Sequence, residues 1–206
     1  MADEDCSAES TKWRTTGNEY YYVAKTKHIG PIVKEKNLQE AIKCYQKALD
    51  TAGSDFEVAA SAAKNYAKTS YELLQLCSES DEELKIFYCK ECLEHFSKGV
   101  EYGEECKSLK WIQELEVLYR NMFDEVMDIC YEAVPTTRQR IIVLESFCCV
   151  IKKTDKLYLD FTSRIASFWL TQACAALNRK DFRASLNALR EIYRPIEEVK
   201  RFGKHK

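Results

Sequence analysis

Apolar residues recur along most of this chain at the three- and four-residue spacing of one helix face. One such set is Leu38, Ala41, Ile42, Tyr45, Ala48, Leu49 and Ala52. The next set is Ala59, Ala63, Tyr66, Ser70, Leu73 and Cys77. Because a helical turn takes 3.6 residues, this spacing predicts two amphipathic helices, each with one buried side. The triplet Gly53-Ser54-Asp55 between them predicts a helix end followed by an N-cap.

Six further segments have the same helical period, beginning with the N-terminal stretch from Trp13 to Val23. Ser80 and Glu83 have the spacing of a capping box, and Pro135 interrupts the long segment that follows. The remaining helix starts are predicted at Thr136 or Thr137, at Thr154-Asp155, and after a tight turn at 178–181. About eight helices with short connections and no convincing strand predict an all-α fold of antiparallel helix hairpins.

The composition agrees with helices and narrows the expected environment. The chain has 206 residues, of which 46% are hydrophobic, and only six are glycine and three proline. The formal charge of −2 gives no general electrostatic reason to bind nucleic acid. No apolar run approaches the roughly 18 residues of a membrane span, and the first residues are acidic where a signal peptide is basic. We expect a cytosolic protein, with a nuclear location as the alternative, and ten cysteines that are reduced and mainly pack in the core.

Two regions resemble tetratricopeptide repeats. In the first, residues 10–53, the signature positions are occupied by Trp13, Gly17, Tyr20, Ala41, Tyr45 and Ala48. In the second, residues 165–198, they are occupied by Trp169, Ala173, Ala176, Ser185, Leu189 and Pro195. A weaker middle copy contains Ala63, Tyr66, Cys92, Phe96 and Gly99. The resemblance implies helix hairpins that stack into a curved array, bind other proteins on the concave face and contain no catalytic apparatus.

The spacing departs from a regular tetratricopeptide array. From Gly17 to Ala41 is 24 residues, about twelve more than a 34-residue repeat permits, which predicts an extended loop or a longer first helix. The predicted organisation is a disordered acidic segment at 1–9, a tetratricopeptide-like helical domain at 10–199 and a basic tail at 200–206. Other small helical domains share the Ala-x3-Tyr-x2-Ala pattern, including three-helix modules that bind trafficking proteins.

The resemblance also suggests partner-binding residues. Arg14 and Asn18 match positions that grip a partner's C-terminal carboxylate in chaperone-binding tetratricopeptide domains. The matching asparagine of the next repeat falls at Ser61, and the third repeat has no clear basic pair, so ordinary surface or packing roles are the stronger interpretation. In the run Tyr20-Tyr21-Tyr22, residues point about 100° apart, so one or two pack inside and at least one can face outward as a peptide contact. Packing of all three on core or inter-helix surface is the stronger interpretation. The candidate contacts are Arg14, Asn18 and Tyr21, with Gln172 near Trp169 at the other end of the trough.

No catalytic or metal-binding motif stands out. Cys89, Cys92 and His95 share one helix, which cannot wrap three ligands tetrahedrally around one zinc ion. No enzyme activity, metal or cofactor is expected. The leading hypothesis is an adaptor that binds a peptide or helix of another protein. The alternatives are an RNA-binding helical repeat, which requires Lys25, Lys27, Lys34 and Lys36 to cluster with other cations, and a structural subunit of a larger assembly.

Overall fold

A computed structural model describes residues 2–134, 136–149 and 156–203. Across these ranges the chain forms eight α-helices and no strand. The all-α class is therefore confirmed for the described residues, whereas the repeat array remains a prediction. By their contacts the helices divide into two compact units, Met1–Ala133 and Val134–Lys206. None of the described helices combines the length and apolar character needed to cross a bilayer.

The first unit contains five helices and the second contains three. Those of the first unit are α1 (Ala2–Ala24), α2 (Pro31–Thr51), α3 (Phe56–Leu74), α4 (Glu82–Glu105) and α5 (Leu109–Ala133). Those of the second unit are α6 (Thr137–Cys148), α7 (Lys156–Asn178) and α8 (Phe182–Gly203). The extra residues between Gly17 and Ala41 extend helices, since α2 begins at Pro31 and only 25–30 connect it to α1.

Within the first unit, consecutive helices pack as hairpins and alternate helices also touch. α1 contacts α3, and α3 contacts α5. The Ser7 hydroxyl donates to the Asp55 carboxylate at 2.5 Å, and just past the end of α1, Lys25 donates to the Glu72 carboxylate at 2.6 Å. These pairs are 48 and 47 residues apart in sequence, and the constant offset means that α1 and α3 run parallel, side by side. Their neighbouring faces therefore lie on one surface.

The contact between α1 and α2 depends on a glycine beneath an aromatic ring. Tyr45 is buried and forms a core cluster with Ala41 and Tyr66. A Cβ at Gly17 would lie 2.7 Å from Cε1 of Tyr45, which is closer than real side chains approach. Only glycine at this position lets the ring lie against the α1 backbone.

Most of the predicted helix ends are confirmed, and one is wrong. Gly53 adopts a φ of 55°, and the Asp55 carboxylate accepts a hydrogen bond from the Val58 amide at 3.1 Å. Thr136 caps α6 through a capping box with Gln139. In contrast, the N-cap of α4 is Asp81, without a side-chain cap. Ser80 does not form the predicted box because the helix starts one residue later than that box requires.

The chain ends also differ from the predicted organisation. Residues 2–9, expected to be disordered, belong to α1. The physical reason is that Ser7 bonds to Asp55 and that the buried Ser10 hydroxyl donates to the Ala48 carbonyl at 2.7 Å. Of the expected tail at 200–206, residues 200–203 form the last turn of α8. Residues 204–206, Pro135 and the predicted helix start at 154–155 lie outside the described residues.

Replacing Gly17 with alanine should destabilise the protein. The added methyl group meets the buried Tyr45 ring, and this overlap should outweigh the gain of about 1 kcal/mol in helix propensity. We expect a net loss of roughly 1–2 kcal/mol in the free energy of unfolding, measured by urea denaturation. Gly30→Ala is the matched control because nothing lies within 4 Å of its added Cβ. Equal stability of the two variants would contradict the proposed close contact.

Candidate functional site

A polar surface runs across three helices of the first unit. We call it the α1–α3–α5 face, because α1 and α5 each contact α3 side by side. From α1 and the residue that follows it, the face includes Arg14, Asn18, Tyr21 and Lys25; from α3, Lys64, Asn65, Lys68 and Glu72; and from α5, Trp111, Glu114 and Glu125. Three of the four predicted contact residues therefore lie on one face.

Asn18 connects three helices at the centre of this face. Its Oδ1 accepts hydrogen bonds from the Tyr45 hydroxyl of α2 and from Nδ2 of Asn65 of α3, both at 2.9 Å. Asn65 thus meets Asn18, whereas Ser61, the position matched from sequence, is a buried residue one turn earlier. Asn18 consequently has a structural role in holding α1, α2 and α3 together, and its Nδ2 remains as a donor on the face.

Two cations beside Asn18 lack a carboxylate within 4 Å among the described residues. Nε of Arg14 is buried and has no hydrogen-bond partner there. Lys68 is partly buried, and its pKa is lowered, first by desolvation and then by the charges of Lys64 and Lys25. Arg14 and Lys68 are therefore positive charges of this face that no described carboxylate neutralises at close range.

The tyrosine run divides between core and solvent, so the packing of all three tyrosines is not observed. Tyr20 and Tyr21 pack against the core cluster, whereas Tyr22 is 70% exposed. The ring of Tyr21 lies 5.6 Å from Nζ of Lys68, and burial, followed by the charge of Glu72, raises its pKa to about 12. Tyr21 therefore lies on the face as a neutral ring beside a cation, and Tyr22 is the tyrosine most accessible to a partner.

The α5 border of the face carries paired charges. Nζ of Lys64 lies 2.9 Å from the Glu114 carboxylate and 4.3 Å from the centre of the Trp111 ring. Farther along α3, the hydroxyl of Tyr71 donates to the Glu125 carboxylate. These contacts hold α3 beside α5, so the unpaired positive charge is concentrated at the junction of α1 and α3.

The fourth predicted contact, Gln172, lies in α7 of the second unit and is partly buried. Trp169, which was expected to line the trough with it, is also partly buried in α7. Gln172 therefore belongs to a different compact unit from Arg14, Asn18 and Tyr21. The candidate site is built from the first unit alone.

A separate cleft of about 510 Å³ opens between α1 and α2. Trp13 and Tyr20 line it from α1, and Lys43 and Lys47 line it from α2. Nζ of Lys47 lies 4.1 Å from the centre of the Trp13 ring, so the cation already covers the largest aromatic surface. Lys43 is paired with Glu40 at 2.8 Å. The charged and aromatic groups of this cleft are therefore largely engaged with each other, unlike Arg14 and Lys68 of the α1–α3–α5 face.

The cysteine and histidine residues of α4 face the core of the first unit. His95 stacks on the Tyr66 ring at 3.5 Å, and its Nδ1 lies 2.9 Å from the Glu91 carbonyl of its own helix. Cys89 and Cys92 are fully buried, and the Cys89 thiol donates to the Val126 carbonyl of α5 at 3.4 Å. Among the described residues, no three ligating side chains are arranged to hold a metal ion.

Two of the four lysines named for RNA binding converge on one carboxylate. Nζ of Lys25 and Nζ of Lys34 lie 2.6 Å and 3.4 Å from oxygens of Glu72. Lys27 and Lys36 are exposed. The convergence thus neutralises part of the positive charge that nucleic-acid binding requires.

No protein-family model, curated protein or solved structure matches this chain. The tetratricopeptide resemblance therefore rests on the residues and their spacing.

Asn65 and Lys68 were not among the residues predicted from the sequence. A signal for Lys68 is present, because polar residues of α3 and its C-cap recur at 57, 61, 64, 68, 72 and 75, which is the period of one helix face. The repeat spacing predicted Ser61 instead, because that spacing does not contain the offset between α1 and α3. A search for the polar stripe of α3 would have found Lys68, whereas Asn65 lies one residue outside that spacing and is identified only by the offset between the two helices.

The bond between Asn18 and Tyr45 should be measurable as an energetic coupling. Asn18→Ala leaves the buried Tyr45 hydroxyl without its acceptor and should cost about 1–3 kcal/mol of unfolding free energy. Once Tyr45→Phe has removed that hydroxyl, Asn18→Ala should cost less, by at least about 0.5 kcal/mol. Urea denaturation of the four proteins gives the cycle. The unfolding free-energy changes of Asn18→Ala and the remote Asn37→Ala should add without coupling. If the changes of Asn18→Ala and Tyr45→Phe are also additive, the proposed hydrogen bond contributes nothing to stability.

The stability of the protein should depend on the protonation of His95. Burial lowers its pKa from 6.5 to about 4, so the unfolded chain binds the proton more tightly than the folded one. The free energy of unfolding should therefore decrease as the pH falls from about 6.5 to about 4, by up to about 3 kcal/mol. His95→Phe should flatten this dependence, measured by urea denaturation across that range. His28→Gln, at an exposed position in the α1–α2 connection, should leave it unchanged; identical pH dependence in all three proteins would exclude the effect.

Proposed function

We propose that this chain is a protein-binding adaptor, and that the α1–α3–α5 face of its first unit binds an acidic segment of a partner protein. The observation that carries the proposal is the pair of cations, Arg14 and Lys68, without a carboxylate within 4 Å among the described residues. They flank Asn18, whose side chain is fixed by Tyr45 and Asn65.

The arrangement suits a carboxylate for two reasons. A guanidinium and an amide N–H can donate to one carboxylate, and such charge-assisted hydrogen bonds contribute about 1.5–3 kcal/mol each. Asn18 and Asn65 hold each other in place, so little side-chain freedom is lost when a ligand binds. An incoming carboxylate would also relieve the repulsion between Lys68 and its neighbours Lys64 and Lys25.

The parallel contact of α1 with α3 supports a wider proposal, that the helix hairpins of the first unit form a divergent tetratricopeptide-like array. Such arrays place alternate helices side by side and use that surface for binding. The partner would then lie across α1 and α3, with Tyr22 as an accessible aromatic contact at the α1 end.

Removing the charges of Arg14 and Lys68 should strongly reduce the recovery of a partner protein. We expect Arg14→Ala combined with Lys68→Ala to reduce, by about tenfold or more, the recovery of at least one protein captured from cell extract. Quantitative mass spectrometry after affinity purification measures this, and recovery of the same protein by the wild type should fall as salt is raised.

Lys12→Ala with Lys36→Ala is the matched control. It removes two positive charges at exposed positions outside the face, and partner recovery should not change. If every captured protein is recovered equally by the two double variants, the α1–α3–α5 face is not the binding surface. A steeply salt-dependent gel shift with RNA, lost in the Arg14/Lys68 variant, would assign the face to nucleic acid instead.

A further inference from the structure

The last helix of the second unit exposes a continuous apolar stripe. α8 packs on α7, and its described side chains that are buried are Ser185, Ala188, Ile192 and Pro195. Most of its described large apolar residues face outward instead, and these are Phe182, Leu186, Leu189, Tyr193 and Ile196, with exposures of 41–69%. Their alternating spacing of four and three residues is that of the seam between two paired helices.

α7 exposes a shorter stripe of the same kind, made of Leu170, Cys174 and Leu177. On each helix the exposed stripe lies about 100° around the axis from the residues buried between the two helices. The turn at 178–181 makes α7 and α8 antiparallel neighbours. Equal rotations from a shared contact bring the two stripes to the same side of an antiparallel pair. The α7–α8 hairpin therefore carries one apolar face.

The apolar face of the α7–α8 hairpin is recessed along the line where the two helices meet. Ala173 of α7 and Ser185 of α8 are small and buried, and they lie between the two stripes. Larger side chains, including Leu170 and Leu186, are half exposed on either side. Small residues on the floor allow a third helix to approach closely, since the distance between packed helices is set by the side chains at their contact. We call this surface the α7–α8 groove.

The charges along the α7–α8 groove are one-sided. On α8, Arg183, Arg190, Arg194 and Arg201 follow each other at intervals of seven, four and seven residues, on the side away from α7. Arg194 contacts Glu145 at 3.4 Å while remaining 72% exposed, and Arg183 and Arg190 have no carboxylate within 4 Å among the described residues. Glu197, the acidic residue beside the stripe, is paired with Lys200 at 3.5 Å. The opposite border, on α7, carries one charge of each sign, Asp160 and Arg164, beside the exposed hydroxyl residues Ser163, Ser167 and Thr171.

We propose that the α7–α8 groove binds an amphipathic helix of a partner protein, with the apolar face of that helix in the groove and acidic residues along the edge beside Arg183 and Arg190. This site is independent of the α1–α3–α5 face. A helix fits because the groove is long, apolar and floored by small residues. Acidic residues fit because an arginine row on one border selects both the charge of the partner and the direction in which it lies.

The charges disfavour the other occupants of such a face. If two copies of α8 paired antiparallel about Leu189, Arg190 would lie against Arg190 of the second copy, and like charges would meet at the centre. An anionic lipid surface favours cations on both borders of an apolar face, whereas residues 160–171 of the α7 border have no net charge, since Asp160 offsets Arg164.

The test uses two synthetic helical peptides of three heptads, each with leucine at the a and d positions. One has glutamate at the e and g positions and the other has lysine, and fluorescence anisotropy measures their binding to the full chain. The glutamate peptide should bind at least about tenfold more tightly than the lysine peptide. Arg183→Glu with Arg190→Glu should reverse that preference. Equal binding of the two peptides, or no binding of the glutamate peptide, would overturn the proposal.

Leu186→Asp should weaken binding of the glutamate peptide by about tenfold or more, because it places a charge in the apolar stripe. The matched control is Ile142→Asp, which places the same charge at a 57%-exposed apolar residue of α6, outside the groove. Circular dichroism checks that both variants fold. Dimerisation of the wild type that Leu186→Asp abolishes would assign the groove to a second copy. Cosedimentation with phosphatidylserine vesicles that Leu186→Asp abolishes would assign it to a membrane, and either result overturns the proposal.

Discussion

The close approach of Tyr45 to Gly17 is the contact on which the first unit depends. The ring occupies the space that any larger side chain on α1 would take, and its hydroxyl reaches Asn18 one residue farther along. The same tyrosine belongs to the core cluster with Ala41 and Tyr66, which ties α1 and α2 to α3. One residue therefore fixes both the distance between α1 and α2 and the position of the amide at the centre of the candidate site.

The position of α3 explains why binding chemistry accumulates there. α3 is flanked by α1 and α5 on one surface, and each side supplies a different set of partners. Toward α5, Lys64 is neutralised by Glu114, and toward the end of α1, Glu72 is neutralised by Lys25. Between these pairs, Arg14 and Lys68 have no carboxylate within 4 Å among the described residues. The surface is thus nearly neutral as a whole and positive in the middle, a distribution that the formal charge of −2 does not reveal.

The second unit presents a different surface chemistry. α8 buries Ser185, Ala188 and Ile192 and exposes most of its described large apolar residues. In an isolated hairpin this arrangement leaves apolar area in water that a neighbouring helix could cover. The first unit has a polar face whose central cations lack carboxylate partners among the described residues. The second unit has an apolar groove with a row of arginines along one border. The chain therefore carries two chemically distinct surfaces suited to different partner segments.

The sequence by itself determined the helical class, most of the helix ends and the buried sides of α2 and α3, because helical period and capping depend on residues within a few positions of each other. Helical spacing also required Tyr20, Tyr21 and Tyr22 to point in different directions. Only the tertiary structure decided that Asn65, not Ser61, meets Asn18, and that the large residues of α8 face away from α7. Both outcomes depend on the offset and rotation of one helix against another. These are set by the fit of side chains from distant parts of the chain, such as Tyr45 against Gly17, which a local pattern does not contain.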